Sequence, residues 1–357
     1  MKRHLLTLAI AASLLPLAAQ AAPRVYGQLN LSIDYMDASV TPTQDGWALN
    51  SNSSRVGVKG AEKLNEEYTA VYKLEWAVNG DVGGADLMAR ERYIGIKHYQ
   101  WGTMRLGYID APFKNAEDEI DIFNDLANLD MDKFIYGQNR LANSINYVSP
   151  KFLDVFGANI TIQPGEGQTA TPSSTNANGN ENHLADAYSA AFSYEDDSLY
   201  LSYAMDKEVM DTRKAILKPD PMAFTPTEMD AMRFNARYKI GDMIISGMYQ
   251  MAEPTKKGGA DTIDQEDSFI ISGAYKMDMI TVRGEVLMST QDMAMGVGST
   301  NKSVDTTLIG VGVDYAMTEN TKVFGNVAMG KKEVTAAAGT AKDYDTSYLG
   351  FGTEVRF

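Results

Sequence analysis

The chain has 357 residues, no cysteine and a formal net charge of −15. That acidic balance excludes nucleic acid as a partner, because phosphate binding needs a basic surface, and a chain this long has no need of the disulfides that staple small secreted folds. Past the N-terminal stretch no run approaches the roughly 18 apolar residues of a spanning helix, which leaves a soluble secreted protein or one that crosses a membrane with strands.

The first element in chain order is "MKRHLLTLAIAASLLPLAAQA". Lys2 and Arg3 precede an apolar run from Leu5 to Leu17, and Ala19-Gln20-Ala21 is a small-x-small cleavage site. Residues 1–21 therefore read as a secretory signal peptide, with one domain over 22–357. Pro16 and Gln20 interrupt the apolar run and argue against a membrane anchor.

After Arg24 nearly every segment alternates with period two, the mark of a strand with two unlike faces. In "RVYGQLNLSIDYM", Val25, Leu29, Leu31, Ile33 and Tyr35 share one face, and Gln28, Asn30, Ser32 and Asp34 the other. "YTAVYKLEWAV" sets Tyr72, Leu74 and Trp76 against Lys73 and Glu75. "SLYLSYAM", "MRFNARYKI", "SFIISGAYKM" and "TTLIGVGVDYAM" follow suit, and "SYLGFGTEVRF" alternates up to Phe357.

Tight connections near 63–67, 98–102, 151–154, 194–198, 239–242 and 317–321 take turns with long polar ones at 37–53, 164–185, 206–230, 253–266 and 291–304. This layout predicts an all-β, up-and-down antiparallel sheet of sixteen strands, quiet at one rim and elaborate at the other. Segments 103–109 and 142–149 flank one unusually long loop, 110–141.

A soluble sandwich and a transmembrane barrel share the same alternation. Three features favour the barrel. A sheet this wide needs closure to remove its edges. Arg, Lys and Glu occur in mid-strand on the polar face, as a watered interior allows. Aromatics recur at the ends of apolar faces, among them Tyr35, Trp76, Tyr108, Tyr147, Tyr203, Tyr249, Tyr315 and Phe357, as in the interfacial girdles of membrane barrels. Closure would pair the last strand with the first and hold Phe357 in a hydrogen-bonded ladder, since hydrocarbon tolerates no bare backbone donors.

"VYGQLNLSIDY", "SSRVGVKGAEKL", "YTAVYKLEWAV", "RERYIGIKHYQWGTMRLGY" and "RLANSINYVSP", with the terminal Phe357, resemble the general porins of Gram-negative outer membranes, most closely over 22–160 and 345–357. The resemblance implies a trimeric barrel of sixteen strands whose third extracellular loop folds inward and narrows the pore. It also implies that Phe357 addresses the chain to the barrel-assembly machinery. Loop 110–141 departs from the pattern in being unusually acidic.

Alternation turns Arg55, Lys59 and Arg105 inward and puts Arg140 on the inner side where the loop rejoins the wall. By resemblance, Arg55, Arg105 and Arg140 match positions on the basic side of the constriction; Lys59 is an additional candidate. Opposite them, "NAEDEIDIFNDLAN" is read as a short helix capped by Asn115. Ile120, Phe123 and Ala127 would pack on the wall, and Glu117, Asp118, Asp121 and Asp125 would face the pore. Facing rings of opposite charge set ion preference. The plainer reading has the arginines paired with wall carboxylates and the loop acids in solvent.

The loop acids do not form a calcium site, because no glycine stands where the calcium-loop template needs one. Catalysis lacks a base with an identifiable partner: His4 leaves with the signal peptide, His98 sits beside a tight turn and His183 in a polar loop. No cofactor is expected. The expected partners are two further copies of the chain, outer-membrane lipid and lipopolysaccharide, and small hydrophilic solutes and ions. The expected function is passive diffusion with a mild cation preference, because a negative lumen concentrates cations. The alternatives are a substrate-selective channel of the same fold and a soluble β-sandwich adhesin.

Overall fold

The computed structural model describes residues 22–38, 45–83, 87–165, 183–211, 227–256, 263–294 and 301–357; the expected signal peptide lies outside them. Strands follow one another in chain order: β1 (Arg24–Ala38), β2 (Gly46–Ser51), β3 (Arg55–Lys63), β4 (Tyr68–Ala77), β5 (Met88–His98), β6 (Gly102–Asp110), β7 (Arg140–Val148), β8 (Phe156–Gln163) and β9 (Ala187–Glu195). The second half comprises β10 (Leu199–Met210), β11 (Glu228–Ile240), β12 (Met243–Pro254), β13 (Ile263–Met277), β14 (Ile280–Met293), β15 (Asn301–Thr318), β16 (Thr321–Ala336) and β17 (Ala341–Arg356).

All pairings are antiparallel between neighbours, and β17 returns to β1, so the sheet is a closed ring. Both β2 and β3 pair with β1. They are halves of one stave broken at 52–54, so the seventeen segments make a barrel of sixteen staves. The break has a local cause. Ser53 takes a positive φ of 51°, while the Asn52 amide donates to Asn30 Oδ1 at 3.2 Å and the Ser54 hydroxyl to the Asn30 carbonyl at 3.1 Å.

Alternation assigns the faces as the sequence reading expected. Val25, Ile33 and Ile94 stand more than half exposed on the outside, while Asn30, Ser32 and Asn146 are buried on the inside. Ladders run between all neighbouring strands around the ring, the pairing that a lipid-facing wall requires. Closure holds the chain's end: Gln28 lies opposite Arg356, and Phe357 exchanges two backbone hydrogen bonds with Gly27, at 3.1 and 2.9 Å. A Cβ at Gly27 would fall 2.3 Å from Phe357 Cζ, so only glycine lets that ring lie across β1.

One expected element does not form. The helix anticipated from Asn115 onward is absent; a single α-helical turn, α1 (Pro112–Asn115), ends where it should begin, and a 3₁₀ turn follows only at Met131–Lys133. The carbonyls that would sustain a helix are taken by wall side chains. Ala116 O accepts from Tyr200, Ser202 and Asn235 at 2.8–3.0 Å. Ile120 O accepts from Ser272 at 2.5 Å, and Ile122 O from the Arg283 guanidinium. Asp118 and Asp125 adopt positive φ of 53° and 71°, which no helix accommodates.

Candidate functional site

The segment between β6 and β7 enters the barrel and runs along its inner wall. Its incoming leg meets β9–β11 through Phe113, whose amide donates to Ser189 Oγ at 3.0 Å, and through Ala116. Farther along, the Ile122 amide donates to Glu285 on β14 at 3.1 Å, and Phe123 lies over Gly310 and Gly312 of β15. Its tip reaches the second stave: the Ala127 amide donates to Asn52 Oδ1 at 3.0 Å, and Arg55 pairs with Asp125 at 2.8 Å. The outgoing leg returns to β13, where the Tyr136 amide donates to Glu266 at 2.7 Å.

Apolar packing holds this course. Ile120, Phe123, Leu126, Leu129, Met131, Phe134 and Ile135 are buried against Met248, Ile270, Leu287, Leu308, Phe324 and Tyr348 of the wall. A second cluster joins Phe113, Ala116 and Tyr136 to Ala187, Ala204 and Met229. The inner wall from β12 to β17 thus carries an apolar patch under the loop, with Gln250, Glu266, Ser272, Arg283 and Glu285 set into it as hydrogen-bonding partners. A cavity of about 380 Å³ stays open between the outgoing leg and the inner faces of β2–β5, lined by Ser53, Asn79, Arg90, Lys133 and Arg140 among others.

The open wall carries a charge network. Glu75 accepts from the Tyr26 hydroxyl at 2.8 Å and from Arg90 at 2.7 Å. Lys73 pairs with Glu91 at 2.5 Å, and Asp110 with Arg140 at 2.6 Å and Lys114 at 3.5 Å. Arg105 donates to Asn146 at 2.8 Å and stands 5.0 Å from the Tyr93 ring centre, and Lys59 lies 4.9 Å over the Tyr26 ring.

Of the eight residues that the sequence suggested, the structure brings Arg55 and Asp125 together and keeps Arg105 and Lys59 on the lumen side. Arg140 sits at the root of the loop. Asp118 reaches Arg237 of the far wall at 2.9 Å rather than the basic wall. Glu117 and Asp121 do not face water: they are 4% and 5% exposed, pressed beneath the loop. The reason is that the loop lies flat with both sides covered, so no helical face is left over for them. Burial raises the carboxyl pKa of Glu117 against the opposing pull of Arg233. Burial also raises Asp121, to which Glu285 and Asp130 add their repulsion. Asp130 is pushed up to about 8 by burial and by Asp132.

Sequence reasoning missed Arg90, Glu91 and the role of Arg233. Three consecutive charges in "RERY" break the alternation, and they coincide with a register shift between β4 and β5 that turns both Arg90 and Glu91 toward the network. His98 is structural: its Nδ1 accepts the amides of Gln100 and Trp101 at 3.1 and 3.2 Å and closes the turn.

The family model for Gram-negative porins matches residues 6–335. The chain is 23% identical over 342 residues to the major outer membrane protein P.IB of Neisseria sicca, covering 88% of this chain and 90% of that protein. It is 25% identical to P.IB of Neisseria gonorrhoeae over 57% of this chain and 56% of the relative. Among solved structures, the anion-selective porin from Comamonas acidovorans superposes with a TM-score of 0.70 at 17% identity, covering 95% of this chain and all of the other. Salmonella typhi OmpF, in complex with daunomycin, gives 0.69 at 15% identity, covering 95% of this chain and 98% of the other. An in-vitro folded OmpT of Vibrio cholerae in trimer form gives 0.68 at 17%, covering 95% and 100%. A closed antiparallel barrel is the fold that these solved structures share with it, and the chain belongs to the Gram-negative porin family of channel-forming outer-membrane proteins.

Proposed function

We propose that the chain forms a water-filled pore for passive diffusion of ions and small hydrophilic solutes, works as a homotrimer and needs no cofactor. The observation that carries this is the asymmetry of the lumen: a loop packed on one wall, and an open, charged wall opposite. The constriction then lies between the loop edge and β3–β6, with Arg55, Lys59, Arg105 and Arg140 on its basic side and Asp125 as the loop acid that meets them. The trimer form of the Vibrio relative supports the assembly. Lipid, lipopolysaccharide and, through Phe357, the barrel-assembly machinery are its proposed partners in the membrane.

The charge of the whole chain argues for mild cation preference. A specific observation favours the opposite sign. The loop acids are engaged: Asp125 by Arg55, Asp118 and Glu119 by Arg237, Glu117 by Arg233. Lys59, Lys97 and Arg105 line the lumen, by strand alternation, with no carboxylate partner among the described residues. Charges on outer loops are screened within about 8–10 Å at ordinary salt, so the lining governs the waist. We infer mild anion preference.

Reconstitution into planar bilayers tests both readings. Stepwise conductance in multiples of three is expected; absence of any conductance refutes the pore. Under a salt gradient the reversal potential should report anion preference and move toward cations in Arg105→Gln. A cation-selective wild type would restore the whole-chain charge argument.

A further inference from the structure

We propose that Arg233 fixes the width of the passage by pinning both legs of the inward loop to one point on the wall. The proposal rests on the pore reading above. Arg233 projects inward from β11 and is wholly buried. Its Nη1 donates to the Phe113 carbonyl at 3.3 Å and to Glu117 at 3.1 Å, both on the incoming leg. Its Nη2 donates to the Tyr136 carbonyl on the outgoing leg at 3.1 Å and to Gln250 at 2.6 Å. Nε donates to the same Gln250 oxygen at 2.8 Å. Gln250 in turn donates its amide to Tyr136 O at 2.9 Å, and the guanidinium stacks 4.3 Å from the Phe113 ring centre.

The other cations that tie the loop to the wall act on one leg each. Arg237 takes Asp118 and Glu119, Arg283 takes Ile122 O, and Arg55 takes Asp125 at the tip. Arg140 joins the two ends of the loop to each other through Asp110; Arg233 joins both legs to the facing wall. The legs cross so closely there that a Cβ at Gly137 would lie 2.4 Å from Phe113 Cε1 and 2.6 Å from Arg233 Nη2, at a φ of +110°. Glycine at 137 and arginine at 233 therefore form one device.

A planar guanidinium presents five N–H groups in a fixed fork, whereas an ammonium is a point charge on a flexible stem. Only the fork can serve Phe113 O, Glu117, Tyr136 O and Gln250 together. A buried charge that loses its partners is strongly unfavourable, so the clamp is either fully made or released. The legs already meet at their base, where the Ala111 amide donates to the Asn139 carbonyl at 3.0 Å and Arg140 pairs with Asp110 at 2.6 Å. The clamp ties that base to β11 and β12 and leaves only the segment from Phe113 to Tyr136 free to move between its anchors. Released, the legs stay joined at Ala111 and Asn139 but lose their tie to the wall, the loop edge wanders across the passage, and solutes larger than the resting gap get through.

The test compares wild type, Arg233→Lys, Gly137→Ala and Arg237→Gln, each checked for a folded barrel by its resistance to unfolding in cold SDS. Two readouts are open-channel current noise and the swelling of proteoliposomes in neutral saccharides from mono- to tetrasaccharide. Arg233→Lys and Gly137→Ala should raise the noise and increase the tetrasaccharide-to-monosaccharide rate ratio severalfold. Their reversal potentials should move less than that of Arg105→Gln, because they leave the lumen-facing charges in the chain. Arg237→Gln, which frees one leg only, should sieve like wild type. Wild-type noise and sieving in folded Gly137→Ala overturn the clamp even if Arg233→Lys fails to fold. Equal loosening in Arg237→Gln also overturns it, by making any loop–wall ion pair sufficient. A wild-type chain that conducts nothing refutes the pore reading instead, so the two failures are told apart.

Discussion

The two halves of the inner wall obey different rules. From β1 to β6 most inward positions are polar or charged, among them Gln28, Asn30, Arg55, Lys73, Glu75 and Arg105. From β12 to β17 many are apolar and buried: Met248, Ile270, Leu287, Leu308, Phe324, Ala328. Both halves face the same lumen, so position in the barrel does not decide their chemistry. What decides it is whether water or the loop lies against them. The covered half is in effect a second hydrophobic core placed inside a channel, and it makes a flexible connection into a wall of the pore.

The most severe way to break this contrast is to spoil the covered half. Phe123 is fully buried and seated over Gly310 and Gly312. Phe123→Ala should cost about 3–5 kcal/mol of loop docking, the usual range for a buried aromatic. Thermal unfolding of the detergent-solubilised protein and channel noise would register it; a silent substitution would mean that the loop is held by polar contacts alone. Gly310→Ala attacks the same contact from the wall. Its Cβ would fall 2.5 Å from Phe123 Cε2, so overpacking of about 1–3 kcal/mol is expected in the same assays.

A pH series sharpens the comparison, because the loop hides carboxylates that the open wall neutralises with cations. Asp130, raised to about 8, lies among Asp121, Asp125, Asp132, Lys133 and Glu285 of the wall. The docked loop keeps a proton that an undocked loop releases near pH 4. Docking is therefore strongest in acid, weakens as pH rises from about 4 to 8, and levels off above that. Current noise should grow between pH 5 and 8 in wild type and do so less in Asp130→Asn; an unchanged slope would discount Asp130. The smallest effect belongs to the open wall. Arg55 and Asp125 are each about a quarter exposed, where such a pair contributes on the order of 0.5 kcal/mol. Arg55→Gln should accordingly change the permeability ratio by about twofold toward cations, read from the reversal potential.

Much of the fold was legible because membrane and lumen each impose period two on a strand. Staves, turns, closure at Phe357 and the inward course of Arg55 and Arg105 all follow from that one rule. The covered wall escaped because it breaks the rule quietly, through apolar doublets. Ile270-Ile271, Leu287-Met288 and Leu308-Ile309 each put one side chain to the outside and one under the loop. Such pairs in neighbouring strands were the available signal for a docking surface. The acids were misplaced for a related reason. A helical wheel assumes that backbone bonds stay within the segment, whereas here Ser202, Asn235, Ser272 and Arg283 take those carbonyls.

The seam between β1 and β17 joins residues as remote as Asn30 and Glu354, 324 positions apart, through a side-chain hydrogen bond of 3.2 Å. Contacts so distant in sequence are slow to find one another, and until they meet the sheet has two raw edges able to recruit any passing strand. A cylinder built this way is finished only when its last stave meets its first, and that one seam turns two adhesive rims into none.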